Sequence, residues 1–446
     1  VGLDNIDLQH PLYPLHATAR RLRRVVTSFA VASGLILLAG PSASAAIMPN
    51  LADLPNSQKN ADPGVSEIET ASVRVHLKAH RSHELSLRAE SLQFAELSLS
   101  KTSARRFRAR FSRADGRPLW HLLDASTGAV LAEASGHEVE IRGEKLQLAN
   151  EKAPERMILR GAVGRETDVL GLFDLERYVA GVVSSEAPAN WPMEMLKAQA
   201  IAVRSFTLAR LADRGRFGLS PELKSTILDQ VFEHQHVATR SRQAVEATQG
   251  RVLVDPQGRV AMAFYHSDCG GATSRTQDVW GGGNFGGTAV DAACPQNPKA
   301  RWSLVRRLSV IARELKREGV LKGDDQVVSM VVAERDASDR ARRIRVKLSD
   351  GREVEFSGER LRSALGYGAL KSTRFEMLAY SFEGESAGIQ FQGRGFGHGV
   401  GLCQWGARHL AEKGKSAEEI LAHYYPRYSI RGSVEGGLAQ ATATLE

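Results

Sequence analysis

Glu186 lies in Tyr178-Val-Ala-Gly-Val-Val-Ser-Ser-Glu-Ala-Pro188, one carboxylate after an apolar run and two residues before a proline. A glutamate held by packed neighbours can give and take a proton near neutral pH. The bland alternative is a solvated turn carboxylate, since charged residues are mostly exposed. Two other stretches concentrate reactive side chains. One is Tyr265-His-Ser-Asp-Cys-Gly-Gly-Ala-Thr273. The other, Gly393-Arg-Gly-Phe-Gly-His-Gly-Val-Gly401, has glycine at every second position and runs into Leu402-Cys-Gln-Trp-Gly-Ala407. Alternating glycines let the backbone approach a ligand or a neighbouring strand closely. They do not match the G-x-G-x-x-G spacing, so no nucleotide site is expected.

The elements around Glu186 follow from local pattern. Asp174 suits an N-cap, and Leu175, Tyr178, Val179, Val182 and Val183 recur at helical spacing. Pro188 stops that helix, so Glu186 is expected just past its end. Pro192 suits the first turn of a second helix, with Leu196, Ala200, Val203 and Phe206 on one stripe and Arg204 beside them. A third helix over 237–249 ends at Gly250. Residues 251–254 and 259–266 read as a hairpin about Asp255-Pro-Gln-Gly258. A helix is expected over 304–318, strands near 327–332, 344–348 and 354–356, and helices at 404–413 and 416–425. Residues 71–160 alternate apolar and polar over short runs, as in Val73-Arg-Val-His-Leu77 and Phe107-Arg-Ala-Arg-Phe111. The expected fold is α+β: mixed helices and antiparallel strands around a catalytic groove at 161–432, with a smaller N-terminal β-rich domain at 71–160.

The chain has 446 residues, 42% apolar and 25% charged, enough for two to three folded domains. Its net charge of +8 suits a polyanionic partner. No long Lys/Arg run or basic patch interleaved with aromatics occurs, which argues against nucleic acid. Arg20-Arg-Leu-Arg-Arg24, an apolar run and Ala43-Ser-Ala45 read as an export signal over 1–46. A polar linker at 47–70 follows, and 433–446 reads as a loose tail. The protein is therefore expected outside the cytoplasm, in the periplasm or cell wall. It would meet the membrane only through the signal segment, which anchors it if uncleaved.

Together and in this order, the three stretches resemble the SpoIID/LytB family, bacterial proteins named for sporulation stage II protein D and an amidase enhancer. The matching segments are Tyr178 to Leu208, Asp229-Gln-Val-Phe232, Tyr265 to Trp280, Leu361 to Phe375, Gly397 to Ala407 and His423-Tyr-Tyr-Pro426. The resemblance implies an exported lytic transglycosylase that cuts peptidoglycan glycan strands, preferring those stripped of stem peptides, with Glu186 as its single acid/base. It equally implies an alternative, a non-catalytic wall-binding activator of a cell-wall amidase. Hydrolytic glycosidases usually need two carboxylates. Asp229 and Asp268 are the candidates for a second, each as well suited to a cap or turn. Arg204, Tyr265, His266, Ser267, His398, Gln404 and Trp405 are the residues expected to orient Glu186 or bind the glycan.

The chemistry requires no cofactor, but the cysteines leave a choice. There are three: Cys269, Cys294 and Cys403. His266, Cys269 and Cys294 could hold a structural zinc with an open position. A Cys269–Cys294 disulfide is the alternative, favoured by export.

Overall fold

The computed structural model describes residues 72–432, apart from 81, 100–104, 163–165, 217–221, 226–229, 282–296, 298–299 and 383–386. The expected signal, linker and tail lie outside the described residues, as do Asp229 and Cys294. The fold is α+β, with eight helices among the described residues: α1 (Leu175–Glu186), α2 (Met193–Arg216), α3 (Thr239–Glu246), α4 (Thr276–Val279), α5 (Leu308–Arg317), α6 (Gly358–Leu365), α7 (Gln404–Glu412) and α8 (Ala417–Tyr424).

The alternating N-terminal strands form two sheets packed face to face. One is seven-stranded and the other six-stranded. Leu85, Leu87, Phe107 and Trp120 from one sheet meet Ile141, Met157, Leu159 and Val169 from the other in a single core. The boundary expected at residue 160 falls inside this sandwich. Thr167–Asp174 lies between Ser72–His80 and Arg156–Arg160 and pairs with the former from Asp174 opposite Ser72 to Thr167 opposite His80. This strand ends at Asp174, the N-cap of α1, whose side chain accepts from the Arg177 N–H at 2.8 Å. The sandwich therefore sets the origin and direction of the helix that carries Glu186.

Helices α1, α2, α3, α7 and α8 share the second core. The single apolar stripe expected on α2 understates its burial. Met195, Leu196, Ala198 and the run from Ala200 to Phe206 are all buried, so α2 is the central helix rather than a surface one. The expected hairpin at 251–266 forms at its turn end, with Gly258 N–H bonded to Asp255 O, Ala261 N–H to Leu253 O and Val254 opposite Val260, but its second arm does not continue pairing to residue 266. Val252–Val254 pairs on its other side with Ser429–Arg431, and Tyr265–His266 pairs in parallel with Leu402–Cys403.

A third core lies between two three-stranded sheets and helices α5 and α6. One sheet contains Val327–Arg335, Ala341–Leu348 and Glu353–Ser357, near the expected positions. The other contains Arg301–Arg307, Ala387–Arg394 and Phe375–Ser381. The helix expected from 304 begins at Leu308, because residues 301–307 are drawn into that sheet.

Candidate active site

Glu186 is the last residue of α1, and Ala187 caps the helix in extended conformation. One carboxylate oxygen accepts from the Val231 N–H at 3.2 Å, and the other faces the Gln404 amide Nε2 at 3.5 Å. The residue keeps part of its surface open, yet protein atoms crowd its carboxylate. Burial raises its pKa above the ordinary glutamate value, and the two hydrogen bonds only partly offset this. The result is a recessed carboxyl that holds its proton longer than a surface glutamate.

Val231 owes its place to an aromatic anchor. Phe232 stacks against Tyr178 and Phe173, each at a centroid distance of 4.8 Å. Gly181 leaves the room: a Cβ there would lie 2.5 Å from the Phe232 ring and 2.9 Å from Glu233 O. Gly181→Ala, ordinarily favourable in a helix, is expected to lower stability here by about 1–3 kcal/mol through overpacking. Urea unfolding checks this.

The two other motif stretches converge on the same place. Parallel pairing puts Tyr265 opposite Leu402 and His266 opposite Cys403, and the Trp405 N–H donates to Ser267 O at 3.1 Å. Gln404 thus reaches Glu186 from the first position of α7. The buried Tyr265 hydroxyl is held well above the usual phenol range, first by burial and then by the charge of Glu186. It remains a neutral donor close to the carboxylate. Gln230, which sequence reasoning did not single out, is 1% exposed and accepts from the hydroxyls of Tyr178 and Thr207 at 3.1 and 2.9 Å. Its one signal was membership of the Asp229-Gln-Val-Phe232 match.

Several expected contacts change. Arg204 makes its bonds away from Glu186. It is fully buried, with two bonds to Glu176 at 2.8 and 2.6 Å and one to Arg251 O at 3.0 Å. Glu176 and Glu186 stand at opposite ends of α1, about 15 Å apart along the axis. His398 is a structural hydrogen bonder. Its Nδ1 accepts from the Val400 N–H at 3.1 Å, so Nε2 carries the proton and donates to Tyr265 O at 3.0 Å. Both ring nitrogens are spent, and burial keeps the ring neutral by pushing its pKa well down. The alternating glycines serve the chain's own crossing. A Cβ on Gly401 would lie 1.9 Å from Phe264 O, and one on Gly399 would lie 2.3 Å from the Arg340 guanidinium. Asp268, one candidate for a second carboxylate, is buried and bonded to Asn297 and to the Gly270 N–H. Trp405 packs edge-on to Trp191 at 5.3 Å, and the Arg408 guanidinium covers both rings.

The metal set also changes. Cys294 lies outside the described residues, so neither the ligand set containing it nor its disulfide with Cys269 is placed. Among the described residues, His266, Cys269 and Cys403 present ligand atoms all within 4.8 Å of one another, and all three residues are buried. A tetrahedral zinc with bonds of about 2.0–2.3 Å sets ligand atoms roughly 3.3–3.8 Å apart, so a modest contraction would suffice. The donor chemistry fits. His266 Nδ1 is bonded to Val400 O at 3.1 Å, which fixes the ring in the manner of a metal-bound histidine. The Cys403 sulfur accepts the Cys269 and Gly406 N–H groups at 3.3 and 3.4 Å, as suits a thiolate.

Comparison with known proteins bears on the same segments. A family model described as stage II sporulation protein (SpoIID) matches residues 164–254, which include Glu186. A second, described as a domain of unknown function (DUF8618), matches residues 289–401. An uncharacterised protein of Brachyspira hyodysenteriae is 29% identical over 259 residues, covering 58% of this chain and 66% of the relative, just under two thirds of its length. Stage II sporulation protein D of Bacillus amyloliquefaciens is 28% identical over 267 residues, covering 56% of this chain and 72% of that protein. The amidase enhancer of Bacillus subtilis is 26% identical over 289 residues, covering 55% of this chain and 39% of that protein. With the motif stretches gathered around one recessed glutamate, these matches support the chain's resemblance to the SpoIID/LytB family.

Proposed function

We propose that this protein works on the bacterial cell wall as an exported lytic transglycosylase that cleaves peptidoglycan glycan strands, with Glu186 as its one acid/base. The observation that carries this is the state of Glu186: recessed, raised in pKa, and held by a backbone N–H and an amide. Among the described residues, no second carboxylate contributes to its pKa. A single carboxyl suffices when water is not the nucleophile. Protonated Glu186 gives its proton to the glycosidic oxygen as the C1–O bond breaks. The resulting carboxylate then takes the proton of the sugar's own 6-hydroxyl as that oxygen attacks C1. The product is a 1,6-anhydro end, and Glu186 is again protonated. Gln404 holds the carboxyl in place, and the neutral Tyr265 hydroxyl offers a donor beside it.

The test is to incubate the protein with peptide-stripped strands and identify the new ends by mass spectrometry. Anhydro ends support the proposal, and ordinary reducing ends would indicate hydrolysis. The name of the Bacillus subtilis relative favours a second reading, activation of a cell-wall amidase. Strands left uncut, with faster amidase turnover in the protein's presence, would select it.

We also propose that His266, Cys269 and Cys403 hold a structural zinc, which would tie the Tyr265–Cys269 segment to α7 through Cys403 and Gln404. Zinc measured on protein purified without chelator is expected at about one ion per chain. Cys403→Ser is expected to lose that ion and melt at lower temperature. A full zinc complement in Cys403→Ser would contradict the assignment.

A further inference from the structure

A cavity of about 590 Å³ opens on the three-stranded sheet formed by Arg301–Arg307, Ala387–Arg394 and Phe375–Ser381. It lies within the segment that a domain of unknown function matches. Arg301, Arg374 and Arg394 line it, with Ser303 and Gln392 beside them. Arg301 and Arg394 are directly opposed across antiparallel strands, both exposed, a like-charge placement that destabilises a sheet. Among the described residues neither has a carboxylate within salt-bridge distance. The acids of the cavity are already engaged: Asp339 with Arg335 and Arg374 at 3.5 and 3.8 Å, and Glu376 with Arg335 at 3.0 Å. A bound anion would relieve the repulsion between Arg301 and Arg394, and planar guanidinium groups match a carboxylate with two parallel hydrogen bonds.

The cavity is tied to the loop that starts beside Glu186. Arg374 Nη1 donates to Gly270 O at 2.6 Å, and a Cβ on Gly270 would touch the Arg394 backbone at 3.1 Å. Tyr265, whose hydroxyl feels the charge of Glu186, is five residues earlier, at most about 18 Å of extended chain. Most of that loop is buried, so a glycan strand would join the two places by spanning the surface between them. We propose that Arg301, Arg374 and Arg394 form an anion subsite for the free lactyl carboxylate of a muramic acid residue in a peptide-stripped strand. The subsite rests on the wall-glycan reading above and extends it. A stem peptide would mask that carboxylate as an amide, so the arginines would read the strand's stripped state directly, while Ser303 and Gln392 supply polar contacts to the sugar.

Binding is measured in the Glu186→Gln background, so that strands are not consumed, using peptide-stripped strands and the same strands with carboxylates reduced to alcohols. The expected result is that reduction weakens binding by about tenfold or more, the scale of lost charge-assisted hydrogen bonds. Adding Arg301→Ala and Arg394→Ala should weaken binding of the intact strands equally and remove the difference between the two substrates. The added substitutions should not lower the melting temperature, because they remove a repulsive pair. Equal binding of intact and reduced strands would overturn the proposal, as would unchanged binding by the arginine variant. Displacement by a teichoic acid phosphodiester, with reduced strands still bound normally, would also overturn it. Arginine-dependent binding without any cleavage by the unsubstituted protein would sink the transglycosylase reading and leave the subsite standing. Anhydro ends with arginine-independent binding would do the reverse.

Discussion

Glu186→Gln is expected to reduce strand cleavage by about a hundred- to ten-thousand-fold, the range for loss of a positioned general acid. The same substitution is expected to leave the fold as stable as before, or more so, at neutral pH. The folded protein holds the Glu186 proton above the ordinary value of 4.5, first because burial disfavours the charge. Between that value and the raised one the native state binds more protons than the unfolded chain. The Glu186 contribution to stability is therefore full below the ordinary value and is lost as pH rises through the raised one. Gln carries no charge to desolvate, so that part of the slope disappears. Thermal melts across about pH 4 to 8 should converge at the acid end and separate in favour of the variant toward neutrality. Cleavage by the unsubstituted protein should fall as pH rises through the raised pKa, because the acid form is consumed. A variant that lost activity and stability together at every pH would mark Glu186 as structural.

Arg204→Ala is expected to destabilise the fold by about 3 kcal/mol, the lower part of the range for breaking a buried ion pair. The low end applies because the Glu176 side chain is 30% exposed and can recover water, whereas Arg204 is completely enclosed. The Arg251 and Val245 carbonyls also lose their donor. Arg204→Met, which keeps most of the stem volume, should be milder. The midpoint of urea unfolding reads the effect. The remaining folded protein should bind strands as before, since the ion pair stands at the far end of α1 from Glu186. Weakened binding at unchanged stability would return Arg204 to the glycan.

What was legible in the sequence was mostly local. The Asp174 cap, the α1 face and the break before Pro188 depend on residues within a few positions of each other, and they form as expected. The sandwich was legible as strands but not as a unit, because Ser72 pairs with Asp174 across about a hundred residues of chain. The hairpin is shorter than expected for the same reason: its arms pair near the turn but not out to residue 266. Asp255-Pro-Gln-Gly258 makes its turn, but distant Leu402–Cys403 claims Tyr265–His266. Arg204 was misread because one apolar stripe was counted on α2, when the run from Ala200 to Phe206 is buried on all sides. An arginine inside such a run must bring its own counter-charge, and Glu176 on the neighbouring helix supplies it. The convergence of Glu186, Tyr265 and Gln404 followed from no local rule. Motif order and the family resemblance suggested it, and the parallel pairing of the two loops supplies the physical cause.

The most direct test of single-carboxylate cleavage is to run the reaction on peptide-stripped strands in heavy-oxygen water and weigh the new ends. Intramolecular attack by the 6-hydroxyl predicts anhydro ends that carry no label, formed by the unsubstituted protein and missing with Glu186→Gln. Labelled reducing ends would contradict the account, because they would require water as the nucleophile and a second group to activate it.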